Sequence, residues 1–282
     1  MESAFASLPS RRNIAVSRLR IALTYLWRHG HLPDVDNPQT FTEHVQHRKL
    51  YDRDLRMAGL SDKVAVKQIV AECIGADWLI PTLWQGEILP ETPVWPSPFV
   101  VKARHGCNQI AFVWDDKPNW EAIRRKANRW MAGRYGFWLD EWMYSRIPRG
   151  VMVEPFVGDG RTLPVDYKFY VFAGRVQFIQ VHLGRGGQHR WILLDRNWKR
   201  VSSLTNDADP SPPKTLPRMI EAAEALAVGF DFVRVDLYEI AGRPLFGEMT
   251  FYPGSGLDRF DPVSLDIFIG RHWSEAKAAR QI

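Results

Sequence analysis

The strongest chemical signal in this 282-residue chain is an arginine and two acids near its C-terminal end. Phe232-Val-Arg-Val-Asp-Leu-Tyr, a turn at Ala241-Gly242-Arg243 and Pro244-Leu-Phe-Gly-Glu-Met-Thr-Phe read as a β-hairpin. With an odd-numbered loop in which Ile240 faces Pro244, Arg234 stands opposite Thr250 and Asp236 opposite Glu248. Val233, Val235, Met249 and Phe251 then share the other face, and a one-residue slip would mix the two sets, so side-chain alternation selects this register. Directly opposed carboxylates have Cβ atoms about 4.5 to 5.5 Å apart and repel unless a cation lies between them. Oxygen donors of this kind suit magnesium, with phosphate oxygens completing its octahedron. The competing reading is a solvated sheet face on which Arg234 pairs the acids.

Three further stretches favour a metal–nucleotide site. Phe99-Val-Val-Lys102-Ala-Arg-His-Gly106-Cys-Asn-Gln-Ile places a lysine at a strand end beside a short loop, where its charge and the loop N–H groups can clamp phosphates. Val151-Met-Val-Glu154-Pro-Phe-Val157 is an apolar strand ending in an acid, and an acid with free backbone there can read an adenine edge. In Asp166-Tyr-Lys168-Phe-Tyr the acid and the lysine alternate with aromatics and share one face. Ala173-Gly174 turns the chain into the next strand, which closes at Arg185. An ordered set of Lys, loop, Glu, Asp-x-Lys, Arg, Arg-x-Asp and Glu points to a nucleoside triphosphate with a metal.

The elements that must hold these groups are strands joined by short turns: 99–103, 110–114, 151–157, 167–172, 176–183, 232–240 and 244–251. Helices are expected over 120–131 and 216–228. Strands and helices interleave without strict βαβ alternation, so the class is α+β with antiparallel sheets. Upstream, residues 11–28 read as a basic amphipathic helix whose Ile14, Leu19, Leu23 and Leu26 dock on the protein and whose arginines are solvated. Further helices run from Phe41 to Met57 and from Ser61 to Gly75. Pro81, Pro90, Pro93, Pro96 and Pro98 mark a linker-like connection, giving an N-terminal lobe over 1–95 and further units over 96–160 and 161–282. Trp27, Trp78, Trp84 and Trp95 are expected to pack that lobe against its neighbour.

With 45% hydrophobic and 24% charged residues the chain can bury a core and is neither disordered nor fibrous. The 37 basic against 32 acidic residues form no aromatic-interleaved stripe, which argues against nucleic acid. Only Cys73 and Cys107 are present, so no disulfide framework or Cys-based zinc pattern arises. His44 and His47 lie three apart on a helix but lack the companions a zinc site needs. Residues 1–10 carry no secretory pattern and no apolar run approaches the about 18 residues of a span, so the expectation is a cytoplasmic protein. Peripheral contact of the basic helix with the inner membrane face is the alternative.

The chain resembles the ATP-grasp superfamily, and within it the TupA-like group named for teichuronopeptide biosynthesis. Asn37-Pro-Gln-Thr-Phe-Thr-Glu, Lys49-Leu-Tyr-Asp-Arg-Asp, Ser61-Asp-Lys63 with Val66, and Leu79-Ile-Pro81 carry the likeness. Most specific are Arg234-Val-Asp-Leu-Tyr and Gly247-Glu-Met-Thr-Phe-Tyr-Pro, with Asp166-Tyr-Lys-Phe-Tyr beside them. The resemblance implies two α+β subdomains with antiparallel sheets gripping ATP, preceded by a mainly helical N-terminal lobe, and activation of a carboxylate by ATP. Carried over, it implies Lys102 on the α- and β-phosphates and His105, Gly106 and the residues to Gln109 as the covering loop. It implies Glu154 and the Val157 backbone on adenine and Asp166 on the ribose. Lys168, Arg185 and Arg234 would meet the γ-phosphate and the forming acyl phosphate, while Asp236 and Glu248 would hold Mg²⁺. Thr250 stands where many members have a metal-binding Asn, and a hydroxyl is a weaker ligand.

Ser255 and Gly256, in Pro253-Gly-Ser-Gly-Leu, could touch the substrates or simply form a glycine-rich turn, and Lys63 is read as a solvated lysine. The function implied is an ATP-dependent carboxylate–amine ligase building or decorating a cell-surface polysaccharide, with saccharide-linked acid and amine substrates. A kinase-like phosphoryl transferase and a non-catalytic ATP-binding module are the alternatives.

Overall fold

The computed structural model describes residues 11–184, 187, 189–203 and 208–280. Two antiparallel sheets carry the molecule. The smaller has the order β1-β4-β2-β3, from β1 (Trp84–Gly86), β2 (Phe99–Ala103), β3 (Ile110–Val113) and β4 (Val151–Pro155). The larger has the order β7-β6-β5-β8-β9, from β5 (Asp166–Phe172), β6 (Arg175–Leu183), β7 (Arg190–Asp195), β8 (Phe232–Ile240) and β9 (Arg243–Thr250). Seven α-helices are described: α1 (Arg11–His29), α2 (Phe41–Tyr51), α3 (Arg56–Ser61), α4 (Ala65–Ile74), α5 (Trp120–Ala132), α6 (Leu216–Leu226) and α7 (Val263–Ala279).

Turn chemistry accounts for the large sheet. Ala173-Gly174 and Ala241-Gly242 both adopt positive φ at each residue, the requirement of the two-residue hairpin turn whose twist matches its strands. The second turn corrects the expected loop: Ile240 faces Arg243 and Glu239 faces Pro244. A register shift after Asp236 leaves Gly247 unpaired, and this bulge restores the expected pairs, Arg234 with Thr250 and Asp236 with Glu248. Glycine is required there because a Cβ would sit 2.9 Å from the Asp236 carbonyl oxygen and 3.1 Å from the Tyr238 ring. Gly247→Ala is expected to cost about 1–3 kcal/mol, as overpacking does, and thermal melting would read it. An unchanged melting temperature would mean the bulge relaxes freely.

The helix expected over 41–57 is broken into α2 and α3. Asp52 and Asp54 accept hydrogen bonds from the backbone two residues on, at 3.1 and 3.0 Å, and these local turns interrupt the helix. α2 starts at a capping box in which Thr40 and Glu43 satisfy each other's N–H groups. It joins the N-terminal segment to the large sheet: Phe41 packs on Tyr170, Phe232 and Trp273 of α7. The buried Arg48 pairs with Asp231, donates to the Phe232 carbonyl at 2.8 Å and stacks over Trp273.

Other expectations are corrected. The proline-rich stretch supplies edge strand β1, paired with β4, and Trp95 packs on Phe99 and Trp120. In α1 it is Ile21 and Tyr25 that are buried, while Leu19, Leu23 and Leu26 are exposed. Its arginines are not simply solvated, since Arg18 pairs with Asp36 and Arg20 with Asp140. Trp27 is 81% exposed, whereas Trp78 is buried. His44 hydrogen-bonds Ser274 at 3.0 Å and His47 the Val35 carbonyl at 2.9 Å. Among the described residues no helix is long and apolar enough to cross a membrane.

Candidate active site

The large sheet aligns its charges on adjacent strands. β5 pairs with β8 so that Lys168 lies beside Asp236, and β8 pairs with β9 so that Asp236 lies beside Glu248. The Lys168 ammonium is 2.8 Å from Asp166 Oδ2 and 2.5 Å from Asp236 Oδ2. Arg234 grips Asp236 with two bonds, Nε to Oδ1 and Nη2 to Oδ2, both 2.7 Å, and reaches Thr250 Oγ1 at 3.2 Å. Burial alone would raise the Asp236 pKa, but Arg234 and Lys168 outweigh it and hold the carboxyl below its usual range. Burial and the nearby Arg234 oppose charge on Lys168, yet the carboxylates of Asp236 and Asp166 keep its pKa above the ordinary value. Glu248 is held more loosely, 3.7 Å from Arg234 and 3.4 Å from the Thr250 hydroxyl.

The small sheet contributes a second charge network. Glu154 on β4 is buried between Lys102 of β2, 2.6 Å from its Oε2, and Lys67 of α4 at its Oε1. Burial would push this acid up, but the two lysines hold it down. Lys67 also donates to the Ile80 carbonyl and the Thr82 hydroxyl, each at 2.7 Å. Lys63, expected to be solvated, donates to the Gly106 carbonyl at 2.6 Å and so fixes the loop between β2 and β3.

Both networks line one cleft of about 340 Å³, where Lys102, Glu154, Asp166, Lys168, Asp236 and Glu248 converge. Leu79, Ile80, Met152 and Phe246 supply its apolar wall, and Gly106 its loop. A second cavity of about 640 Å³ adjoins it, sharing Lys168 and Glu248 and adding Arg234, Thr250 and Ser255. Three assigned residues lie elsewhere. The His105 ring is buried with Nε2 3.2 Å from the Trp130 carbonyl and Nδ1 accepting from the Gly150 N–H at 3.4 Å, so it braces the small sheet against α5. Val157 does not line the cleft. Gly256 packs on α2, where a Cβ would come within 2.8 Å of the Thr42 carbonyl oxygen. Arg185 lies outside the described residues.

Lys67 was not singled out in the sequence, although a signal was present. Lys63 and Lys67 stand four apart around the N-terminus of α4, where positive charge is unfavourable without an anion. The three ammonium hydrogens of Lys67 go to Glu154, Ile80 and Thr82, so it would act on a nucleotide through its charge alone. Lys67→Met is expected to raise the half-saturating nucleotide concentration only about two- to fivefold while Lys102 retains Glu154. Titration of a fluorescent nucleotide checks this, and unchanged affinity would leave Lys67 a structural partner of Glu154.

Asp236 and Glu248 bring carboxylate oxygens to the cleft, the donors Mg²⁺ prefers, alongside Cys107 and the lysines. Among the described residues no group of three His, Cys, Asp or Glu gathers as a protein-only cage. A Mg²⁺ ion would therefore rest on Glu248 and Asp236 with phosphate and water oxygens, and Asp236 could join only as Lys168 or Arg234 turns toward phosphate.

The model of the TupA-like ATP-grasp family matches residues 43–274. Among solved structures, D-alanine–D-alanine ligase from Bacillus anthracis is 14% identical, with 79% of this chain and 66% of that one covered and a TM-score of 0.44. L-amino acid ligase from Bacillus licheniformis is 16% identical, with coverages of 77% and 50% and a TM-score of 0.48. The chain thus spans two thirds or less of the length of these two proteins. No curated protein matches it in sequence. The family match runs from α2 through α7 and takes in every strand of both sheets, so the chain belongs to the TupA-like ATP-grasp family and has the ATP-grasp fold.

Proposed function

We propose that this chain is an ATP-dependent carboxylate–amine ligase that works through an acyl phosphate in the building or decoration of a cell-surface polysaccharide. The observation that carries the reading is the meeting of Lys102 of the small sheet and Lys67 of α4 with Lys168, Asp236 and Glu248 of the large sheet in a single cleft, with Arg234 on the adjoining cavity. On this reading residues 96–160, with edge strand β1, form the upper jaw of the grip and residues 161–282 the lower.

Lys102, with the charge of Lys67 behind it, neutralises the inner phosphates, and the apolar wall around Leu79 and Met152 takes the base. Lys168 and Arg234 face the terminal phosphoryl group and stabilise the charge that spreads over it as a substrate carboxylate attacks. Mg²⁺ at Glu248 and Asp236 would supply further charge neutralisation across the phosphates. No side-chain nucleophile is needed, because the substrate carboxylate attacks the γ-phosphorus and expels ADP, and an amine then adds to the acyl carbon, expels phosphate and gives up a proton. The adjoining cavity is the place for both substrates.

The test is ADP and phosphate release from ATP and Mg²⁺ across a panel of uronic acids, with and without amino acids. Turnover that needs both acid and amine supports the ligase. A stable phosphorylated acid formed without amine would make the protein a phosphoryl transferase, and ATP binding without turnover would make it a regulatory module.

A further inference from the structure

Three buried polar groups at the larger cavity have no part in the chemistry above. Glu141 is 5% exposed and lines that cavity with Tyr252 and Ser255. Its backbone is fixed by a bond from its N–H to the Gly136 carbonyl at 2.9 Å. Gly136 is at φ +74°, where a Cβ would come within 2.9 Å of the Glu141 carbonyl oxygen, so the turn that presents Glu141 demands glycine. Burial pushes the Glu141 carboxyl pKa upward, and Lys49 and the Ser255 hydroxyl oppose the shift.

Ser255 is itself held in an unusual state. It lies at φ +57° between Gly254 and Gly256, both also in the left-handed region, a conformation that side-chain-bearing residues seldom adopt. The clamp is Lys49 of α2, fully buried, which donates to the Ser255 carbonyl at 2.7 Å, the Ser255 hydroxyl at 2.6 Å and Gln46 Oε1 at 3.2 Å. These acceptors use all three ammonium hydrogens, so Lys49 has none left for a ligand. It braces Ser255, which shares the cavity wall with Glu141. The third group, Tyr252, is 3% exposed, and its hydroxyl has no hydrogen-bond partner among the described residues. A buried hydroxyl without a partner is uncommon and costs stability unless a ligand supplies one.

The chemistry at this wall fits a cation. A carboxylate ligand would face Glu141 and the Asp258 that also lines the cavity, whereas a primary ammonium can donate to the Glu141 carboxylate and to the Tyr252 oxygen together. Anionic groups belong on the sheet side, with Arg234 and Lys168. We propose that Glu141 and Tyr252, braced by Ser255 and Lys49, form the subsite that receives the amino group of the acceptor amine. The acceptor's role rests on the ligase reading, but the binding of an ammonium there does not.

The test is calorimetric titration of glycinamide, a primary amine without a carboxylate, into the full chain saturated with Mg²⁺ and a non-hydrolysable ATP analogue, with acetamide as the control lacking the amine. Glycinamide is expected to bind saturably and acetamide not to bind. Glu141→Gln is expected to weaken glycinamide at least about tenfold, the range for a hydrogen bond to a charged group, and Tyr252→Phe about fivefold. Tyr252→Phe removes only an oxygen without an internal partner, so it should fold and melt like the wild type and keeps the test decisive if Glu141→Gln does not fold. Equal affinity for glycinamide and acetamide, or wild-type affinity in Tyr252→Phe, overturns the subsite. Glycinamide binding without amide formation from any acid and amine overturns the ligase reading alone. Amide formation with an unaltered amine requirement in the variants overturns the subsite alone.

Discussion

Glu248→Gln is expected to leave the protein folded and nearly silent, with ADP release falling about 10²- to 10³-fold, the usual loss when one preorganised charge is taken from a transferring group. The asymmetry of its surroundings is the reason. The Glu248 side chain is 32% exposed, its distance to Arg234 is 3.7 Å, and the Thr250 hydroxyl at 3.4 Å is a long contact. Little folding energy depends on such an acid, because exposed ion pairs contribute about 0–1 kcal/mol. Its register position beside Asp236, where the cleft meets the adjoining cavity, is therefore not explained by stability, and the proposed ligase reading gives it a metal-holding role. Mg²⁺-dependent ADP release and thermal melting measured on the same preparation test this. Retained turnover would remove Glu248 from the metal role, and a collapse in melting temperature would mean its contacts matter more than their lengths suggest.

How much of this was readable from sequence depends on how local the determining contact is. The β8–β9 register is set by alternation of apolar and charged residues within two strands, so Asp236 and Glu248 could be paired without coordinates. The loop length behind that inference was wrong by one residue, and the bulge at Gly247 cancelled the error. α7 went unread although Leu265, Ile269, Trp273 and Ala276 fall on one helical face. Its Gly270 weakens the pattern, and it is there because a Cβ would lie 2.4 Å from the Gln39 carbonyl oxygen at the start of α2. Contacts between distant segments left no trace. Lys67 meets Glu154 across 87 positions, and Ser255 meets Lys49 across 206, so neither pair has a spacing to detect. The ring of His105 shows the same limit: the loop motif says where its backbone runs, while the ring meets the Trp130 carbonyl of α5, 25 positions away.

Asp236→Asn is expected to do what Glu248→Gln does not, costing both activity and about 3–5 kcal/mol of stability, the penalty for breaking a buried ion pair by removing one partner. Asp236 is 1% exposed and takes two bonds from Arg234 and one from Lys168, whose side chains are each 10% exposed. Neutralising it leaves two buried cations against Asp166 and the distant Glu248. The sign of the pH dependence follows. A carboxyl whose folded pKa lies below its unfolded value near 3.9 contributes stability above that value and loses it as pH falls through the folded pKa. The wild type should therefore lose stability relative to Asp236→Asn on acidification below about pH 4, narrowing the gap between them. Replacing the cluster whole, with Asp166→Leu, Lys168→Met, Arg234→Met and Asp236→Leu together, should recover much of the lost stability, because well-packed apolar side chains can replace a buried charge network. Activity should stay absent. Recovery of stability without activity would show that these charges are kept for phosphoryl chemistry at a cost to the fold. A quadruple variant as unstable as Asp236→Asn would instead make the ion cluster a structural necessity of the large sheet.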